Sequence, residues 1–127
     1  VEIHALHDPT RGGLLTQCHE VAVGTGLRLV LSEDAIPVRP QVRAVCEVLG
    51  LEILSLACEG RVVAWVAGSD ADAAVDAFRD HPAGRDAVII GSVQEREPGQ
   101  VPVVLETLAG GERPLDLMSG TDLPRIC

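Results

Sequence analysis

The chain has 127 residues, a net charge of −9 and an apolar fraction of 46%, with one Trp, one Phe and no Tyr. That length supports one domain with a largely aliphatic core. The acidic balance and the shortage of stacking rings argue against nucleic acid as a partner, and no apolar run approaches the ~18 residues of a membrane-spanning helix.

In chain order, Val1 to Leu6 reads as a strand, followed by a polar, Gly-rich bend, Asp8-Pro9-Thr10-Arg11-Gly12-Gly13. Leu14, Leu15, Cys18, Val21 and Ala22 fall at helical spacing and predict a helix that ends at Gly24 to Gly26. Leu27 to Leu31 is expected as a strand with Leu27, Leu29 and Leu31 alternating. Past Pro37 and Pro40, a second helix over Gln41 to Leu49 is expected to face inward with Val42, Val45, Cys46 and Leu49. Ile53 to Ala57 and Arg61 to Ala67 flank Cys58-Glu59-Gly60 and read as the two arms of a hairpin. Ser69 is the expected N-cap of a third helix through about Asp80, with Ala74, Val75 and Phe78 inward and His81-Pro82-Ala83-Gly84 as its stop. Ala87 to Val93 and Val101 to Leu108 are β-rich runs, and Gly110-Gly111 turns into a short strand near Arg113 to Leu117. Short turns between strands favour an α+β fold, with a mixed, mainly antiparallel sheet flanked by helices. Residues 1–118 are expected to form the domain and 119–127 a flexible C-terminal tail.

The N-terminus has no basic segment followed by an apolar stretch, and the four cysteines (18, 46, 58 and 127) form no CxxC pair. A reduced, cytoplasmic protein is the expected context. Because Val1 already looks like strand, the chain reads as the C-terminal part of a longer protein.

Three features could carry chemistry. The tail, Ser119 to Cys127, ends on a thiol with nothing downstream to obstruct it, with Gly120 as a hinge and Pro124 stiffening the approach. Its nine residues extend to at most ~30 Å. A frayed end that happens to finish in Cys is the plainer alternative, although an exposed thiol invites oxidation. The Asp8-to-Gly13 bend opens a helix, where backbone N–H groups and the helix dipole favour an anion and Arg11 could contact phosphate. The alternative is an ordinary helix start capped by Asp8 or Thr10. Glu59, in a tight turn, could be a general base or simply a solvated acid. Cys18 and Cys46 are expected in the core, and His4, His7, His19 and His81 show no metal spacing, so no metal is assigned.

Taken together, His7-Asp-Pro-Thr-Arg-Gly-Gly13, Ile36-Pro-Val38, Cys46-Glu47-x-Leu49-Gly50, Glu59-Gly60, His81-Pro-x-Gly84, Ile89-Ile-Gly91 and Pro124-Arg-Ile-Cys127 closely resemble the C-terminal domain of the HypE family of hydrogenase maturation proteins. That family belongs to the AIR synthase superfamily. The first and fourth pieces are shared across the superfamily, whereas the Pro-Arg-Ile-Cys ending points to HypE. The resemblance implies an ATP-dependent carbamoyl dehydratase that makes cyanide ligands for [NiFe]-hydrogenase. A carbamoyltransferase, HypF, would load Cys127. Phosphorylation by ATP and loss of phosphate would leave a thiocyanate, and the cyanide would pass to iron on a HypC–HypD complex. Glu59 would match the carboxylate near the thiocarboxamide, and Asp8, Thr10, Arg11, Gly12 and Gly13 the loop facing the nucleotide phosphates. The resemblance also implies a homodimer, with ATP and Mg2+ bound mainly by an N-terminal domain, so no tightly bound cofactor is expected here. Cys58 stands where the family pattern has Asn. Two other readings are a carrier module that only presents Cys127, and another superfamily enzyme such as a selenophosphate synthetase.

Overall fold

The computed structural model describes residues 1–117. Gly120, Pro124 and Cys127, and with them the expected tail, lie outside the described residues. Strand β1 (Ile3–His7) leads through the Asp8 bend to helix α1 (Gly13–Thr25), strand β2 (Arg28–Ser32) and helix α2 (Pro40–Leu49). A short 3-10 turn (Ile53–Ser55) precedes β3 (Val63–Val66). Helix α3 (Ala71–Arg79), β4 (Gly91–Gln94), β5 (Val103–Glu106) and β6 (Glu112–Pro114) complete the order.

The strands form two sheets. A ribbon pairs β1 with β3, and a four-stranded sheet runs β4-β2-β5-β6. Three pairings are antiparallel, and β2 with β5 is parallel. This is the mixed, mainly antiparallel α+β architecture expected from the sequence. The core lies between α1 and the four-stranded sheet. Leu15, Cys18 and Ala22 of α1 meet Leu29, Leu31, Val103 and Leu105, with Leu54 and Leu115 at the margin. Those α1 positions recur at helical spacing, which is why the helix places one stripe on the sheet.

Several sequence expectations change. The stretches on either side of Cys58-Glu59-Gly60 do not form a hairpin. Ile53–Ser55 is a 3-10 turn, with Glu52 accepting the Leu54 N–H at 3.2 Å. β3 pairs instead with β1, His7 opposite Val63. Strand β2 does not alternate, because Val30 is buried along with Leu29 and Leu31; a central strand covered on both faces reads as a continuous apolar run. The expected inward face of α2 is mostly outward: Cys46 is buried, whereas Val42, Val45 and Leu49 are exposed. The amphipathic pattern made the helix, but little of the domain covers it. Ser69 does not cap α3. It sits in a 3-10 turn (Gly68–Asp70) ahead of the helix, and the Asp70 carboxylate accepts the Glu2 N–H at 2.7 Å, tying the helix start to the strand ribbon. The β-rich 87–93 run contributes only its end to a strand, at an exposed sheet edge.

Candidate functional site

The ribbon places two loops side by side. Where β1 ends at His7, residues 8–12 turn into α1; where β3 begins at Val63, the preceding residues carry Cys58, Glu59 and Gly60. A cross-loop hydrogen bond joins them, the Cys58 N–H donating to the Pro9 carbonyl at 3.0 Å. His7 and Trp65 stack edge to face just below, with centroids 5.4 Å apart.

The first loop is built by its backbone. Thr10 N–H donates to the Asp8 carbonyl at 2.8 Å, and Gly13 N–H to the Thr10 carbonyl at 3.0 Å. Gly12 and Gly13 then follow with φ of 75° and 60°, a left-handed pair that other residues adopt only with strain. A Cβ on Gly13 would strike the Leu56 carbonyl and lie 2.6 Å from that of Leu54. Gly13 is therefore what allows α1 to start hard against the 54–56 backbone leading to Glu59. Of the two explanations open from sequence, the capped start is not what forms: the N-cap is Gly12, and no side chain caps the helix. An uncapped first turn leaves N–H groups and the positive end of a 13-residue helix available to an anion. Pro9 is buried, Thr10 half-buried, and Asp8 and Arg11 exposed at the rim.

In the second loop, Glu52 holds the base. Besides capping Leu54, it accepts from Arg113 at 2.9 Å, and its own carbonyl accepts from Ser55 Oγ at 2.7 Å. Glu59 is exposed beyond this scaffold, with no hydrogen bond or ion pair among the described residues. Its carboxylate can take a proton from something presented to it. Cys58 is half-buried beside it.

The structure thus brings Asp8, Thr10, Arg11, Gly12 and Gly13 into one neighbourhood with Glu59. An open depression of about 370 Å3, lined among others by Ser32, Asp34, Glu106 and Glu112, shares no residue with the two loops. Among the described residues no three His, Cys, Asp or Glu side chains gather as a metal site. Nor is any helix there long and apolar enough to cross a membrane.

Cys18 is deeply buried, and burial pushes its thiol up to about 12, so it serves packing. Sequence reasoning missed His19. Its Nε2 lies 2.6 Å from the Leu115 carbonyl across 96 residues. The available signal was its place one residue after Cys18, on the stripe that buries Leu15 and Ala22.

Residues 1–104 match the family model described as AIR synthase related protein, C-terminal domain, and the chain belongs to that family. Within it, the chain is 50% identical over 125 residues to the carbamoyl dehydratase HypE of Cupriavidus necator, an alignment covering 98% of this chain and 35% of that protein. A HypE hydrogenase maturation protein crystallised in complex with ATP superposes with a TM-score of 0.89 at 41% identity, covering 99% of this chain and 38% of that one. The HypE–HypF complex gives a TM-score of 0.83 at 34% identity, covering 91% and 37%. The chain therefore spans about a third of the length of the relatives it matches.

Proposed function

We propose that this chain is the C-terminal part of a cytoplasmic, ATP-dependent carbamoyl dehydratase of [NiFe]-hydrogenase maturation. In this reading residues 1–118 form the catalytic half-domain and residues 119–127 the arm carrying the acceptor thiol, Cys127. The observation that carries the reading is the junction of the uncapped α1 start with the Glu59 turn, joined through Cys58 and Pro9. The likeness to carbamoyl dehydratases over 98% of the chain supports the reaction class.

The reaction converts Cys127–S–C(=O)–NH2 to Cys127–S–C≡N. The carbon–oxygen bond breaks, both nitrogen protons leave, and the oxygen departs with a phosphoryl group. ATP, when bound, supplies that phosphoryl group and so makes the oxygen a leaving group. The first-turn N–H groups behind Gly12 and Gly13 hold the developing phosphate charge, with Arg11 at the rim. Glu59 accepts a nitrogen proton. Thr10 and Asp8 shape the loop, Gly120 and Pro124 set how the arm bends, and enclosure of the thiocarboxamide keeps water from hydrolysing it.

The uncapped α1 start, with Arg11 at the rim, offers first-turn N–H groups to a phosphate. As the family resemblance implies, most nucleotide and Mg2+ contacts, and the homodimer contact, would be made by the remainder of a full-length protein. HypF as the carbamoyl donor and HypC–HypD as the acceptor complex complete the partners; the first is supported by the HypE–HypF complex of a relative.

The test is intact mass of the full-length protein after incubation with HypF, carbamoyl phosphate and ATP. Glu59→Gln should stop at the carbamoyl adduct, with the dehydration rate down about 10²–10⁴-fold, as for loss of a general base. Normal thiocyanate formation in that variant would remove Glu59 from the mechanism. The exposure of Glu59 favours a second reading, a carrier module that only presents Cys127, and unimpaired dehydration in Glu59→Gln would move the assignment there.

A further inference from the structure

Residues 52–58 lead to Glu59, and they meet Gly13 by close approach alone, with the Leu54 and Leu56 carbonyls standing where a Cβ would be. The directional bonds on this segment gather at Glu52. One carboxylate oxygen accepts the Leu54 N–H at 3.2 Å, and the other accepts from the Arg113 guanidinium at 2.9 Å. The Glu52 carbonyl accepts from the buried Ser55 twice, from its N–H at 3.1 Å and its Oγ at 2.7 Å. Arg113 stands on β6 opposite Leu105, two residues before the buried Leu115, so its root belongs to the four-stranded sheet. Among the described residues, the Glu52–Arg113 contact is the one hydrogen bond that joins residues 52–58 to that sheet. At the far end of the segment, the Cys58 N–H is held by the Pro9 carbonyl.

We propose that Glu52 is a positioning residue: tied to Arg113, it fixes the 54–56 backbone against Gly13 and thereby the distance of Glu59 from the α1 start. The inference rests on the reading of Glu59 as the proton acceptor. A carboxylate can serve a backbone N–H and a guanidinium at once, because each oxygen accepts independently. Glutamine keeps one acceptor oxygen but turns an NH2 group toward one of the two donors. Burial of Leu54 in the core holds the segment on the domain, but apolar contact is non-directional and leaves the spacing open. Loss of the carboxylate therefore shifts the turn without releasing it. An ion pair whose side chains are 48% and 21% exposed contributes little to global stability. Its leverage is on position, since a displacement of about 1 Å at reacting groups can cost ~100-fold in rate.

The test follows single-turnover thiocyanate formation by intact mass in the full-length protein. Glu52→Gln and Arg113→Met should each slow dehydration about tenfold, and the double variant no more than the slower single one, because the two residues act as one tie. Arg113→Lys, which keeps a charged donor for a single N–H···O bond, should stay within about threefold of the parent. Carbamoyl loading, the ATP concentration for half-maximal rate and the urea midpoint should all stay near parental values. In a Glu59→Gln background, Glu52→Gln should add nothing, since a residue acting through Glu59 has nothing left to position. A residue that served only the fold would slow both backgrounds alike. Should Glu52→Gln fail to fold, Arg113→Met decides, alone and combined with Glu59→Gln. A parental rate in either folded single variant, or equal losses with and without Glu59, would overturn the assignment. Normal dehydration in Glu59→Gln alone, or no thiocyanate from the parent, would instead overturn the reading of Glu59, and this role with it.

Discussion

Replacing Gly13 by Ala tests whether the closeness of the two loops is built into the backbone. The new methyl meets the Leu56 carbonyl, the Leu54 carbonyl at 2.6 Å and the Ser55 carbonyl carbon at 2.9 Å, all main chain with little freedom to yield. Holding Ala at a φ of 60° costs about 1–2 kcal/mol, and overpacking against backbone adds about 1–3 kcal/mol. The sum, about 2–5 kcal/mol, is a large share of the ~5–15 kcal/mol that holds a domain together. Gly50→Ala is the matched control. Its φ is 66°, but nothing lies within 4 Å of the added Cβ, so it carries only the backbone strain. Urea denaturation followed by Trp65 fluorescence would give both values. The side chain is the chain's one indole and lies against His7 beside the loops. Gly13→Ala should be the more destabilising by at least about 1 kcal/mol. If the two variants lose the same stability, the close approach of α1 to the 54–56 segment is not a constraint and the account of the site's geometry fails.

Two further outcomes follow from the same structure. Because Cys18 is raised to about 12 by burial and an unfolded thiol titrates near 8.5, the unfolded chain loses that proton first. Stability should therefore be unaffected by this group below about pH 8, then fall with a slope approaching ~1.4 kcal/mol per pH unit as pH rises toward 12. Comparing denaturation of the parent and Cys18→Val from pH 8 to 10.5 checks it, and parallel curves would refute it. The Arg28 side chain is 11% exposed, and its pair with Glu112 closes at 2.6 Å. Glu112→Gln should cost about 1–3 kcal/mol by leaving a mostly buried cation short of its partner, whereas Arg28→Met should cost less. The reverse order in urea midpoints would refute the burial argument.

What could be read from the sequence was what the chain decides locally. Leu15, Cys18 and Ala22 at helical spacing, ended by Gly26, specify α1 without help from the rest of the molecule. The misread hairpin around Glu59 shows the opposite case. Its flanks are apolar and β-rich, but the partner of Val63 is His7, fifty-six residues upstream, and no local pattern encodes that choice. The same holds for α2, where the period gave the helix but not which face, if any, the domain would cover. At the site, the Gly-Gly bend and the Glu59 turn could each be picked out singly. Their juxtaposition through Cys58 and Pro9 was legible only through resemblance to a family, because nothing in their spacing brings residues 9 and 58 together. His19 was passed over because its partner is a backbone carbonyl, and any residue type could supply one at position 115.

The pairing of β2 with β5 bears on how the chain reaches this state. Leu29 adjoins Val103, and on its other side Val93, so the central strand waits for more than sixty residues to be made before either neighbour exists. Loop closure over such distances must precede any reward from the ladder, which slows folding relative to a helical bundle of this size. During synthesis, the apolar Leu29-Val30-Leu31 run therefore leaves the ribosome with both edges open, and it is the stretch of this polypeptide most in need of shielding until β5 arrives.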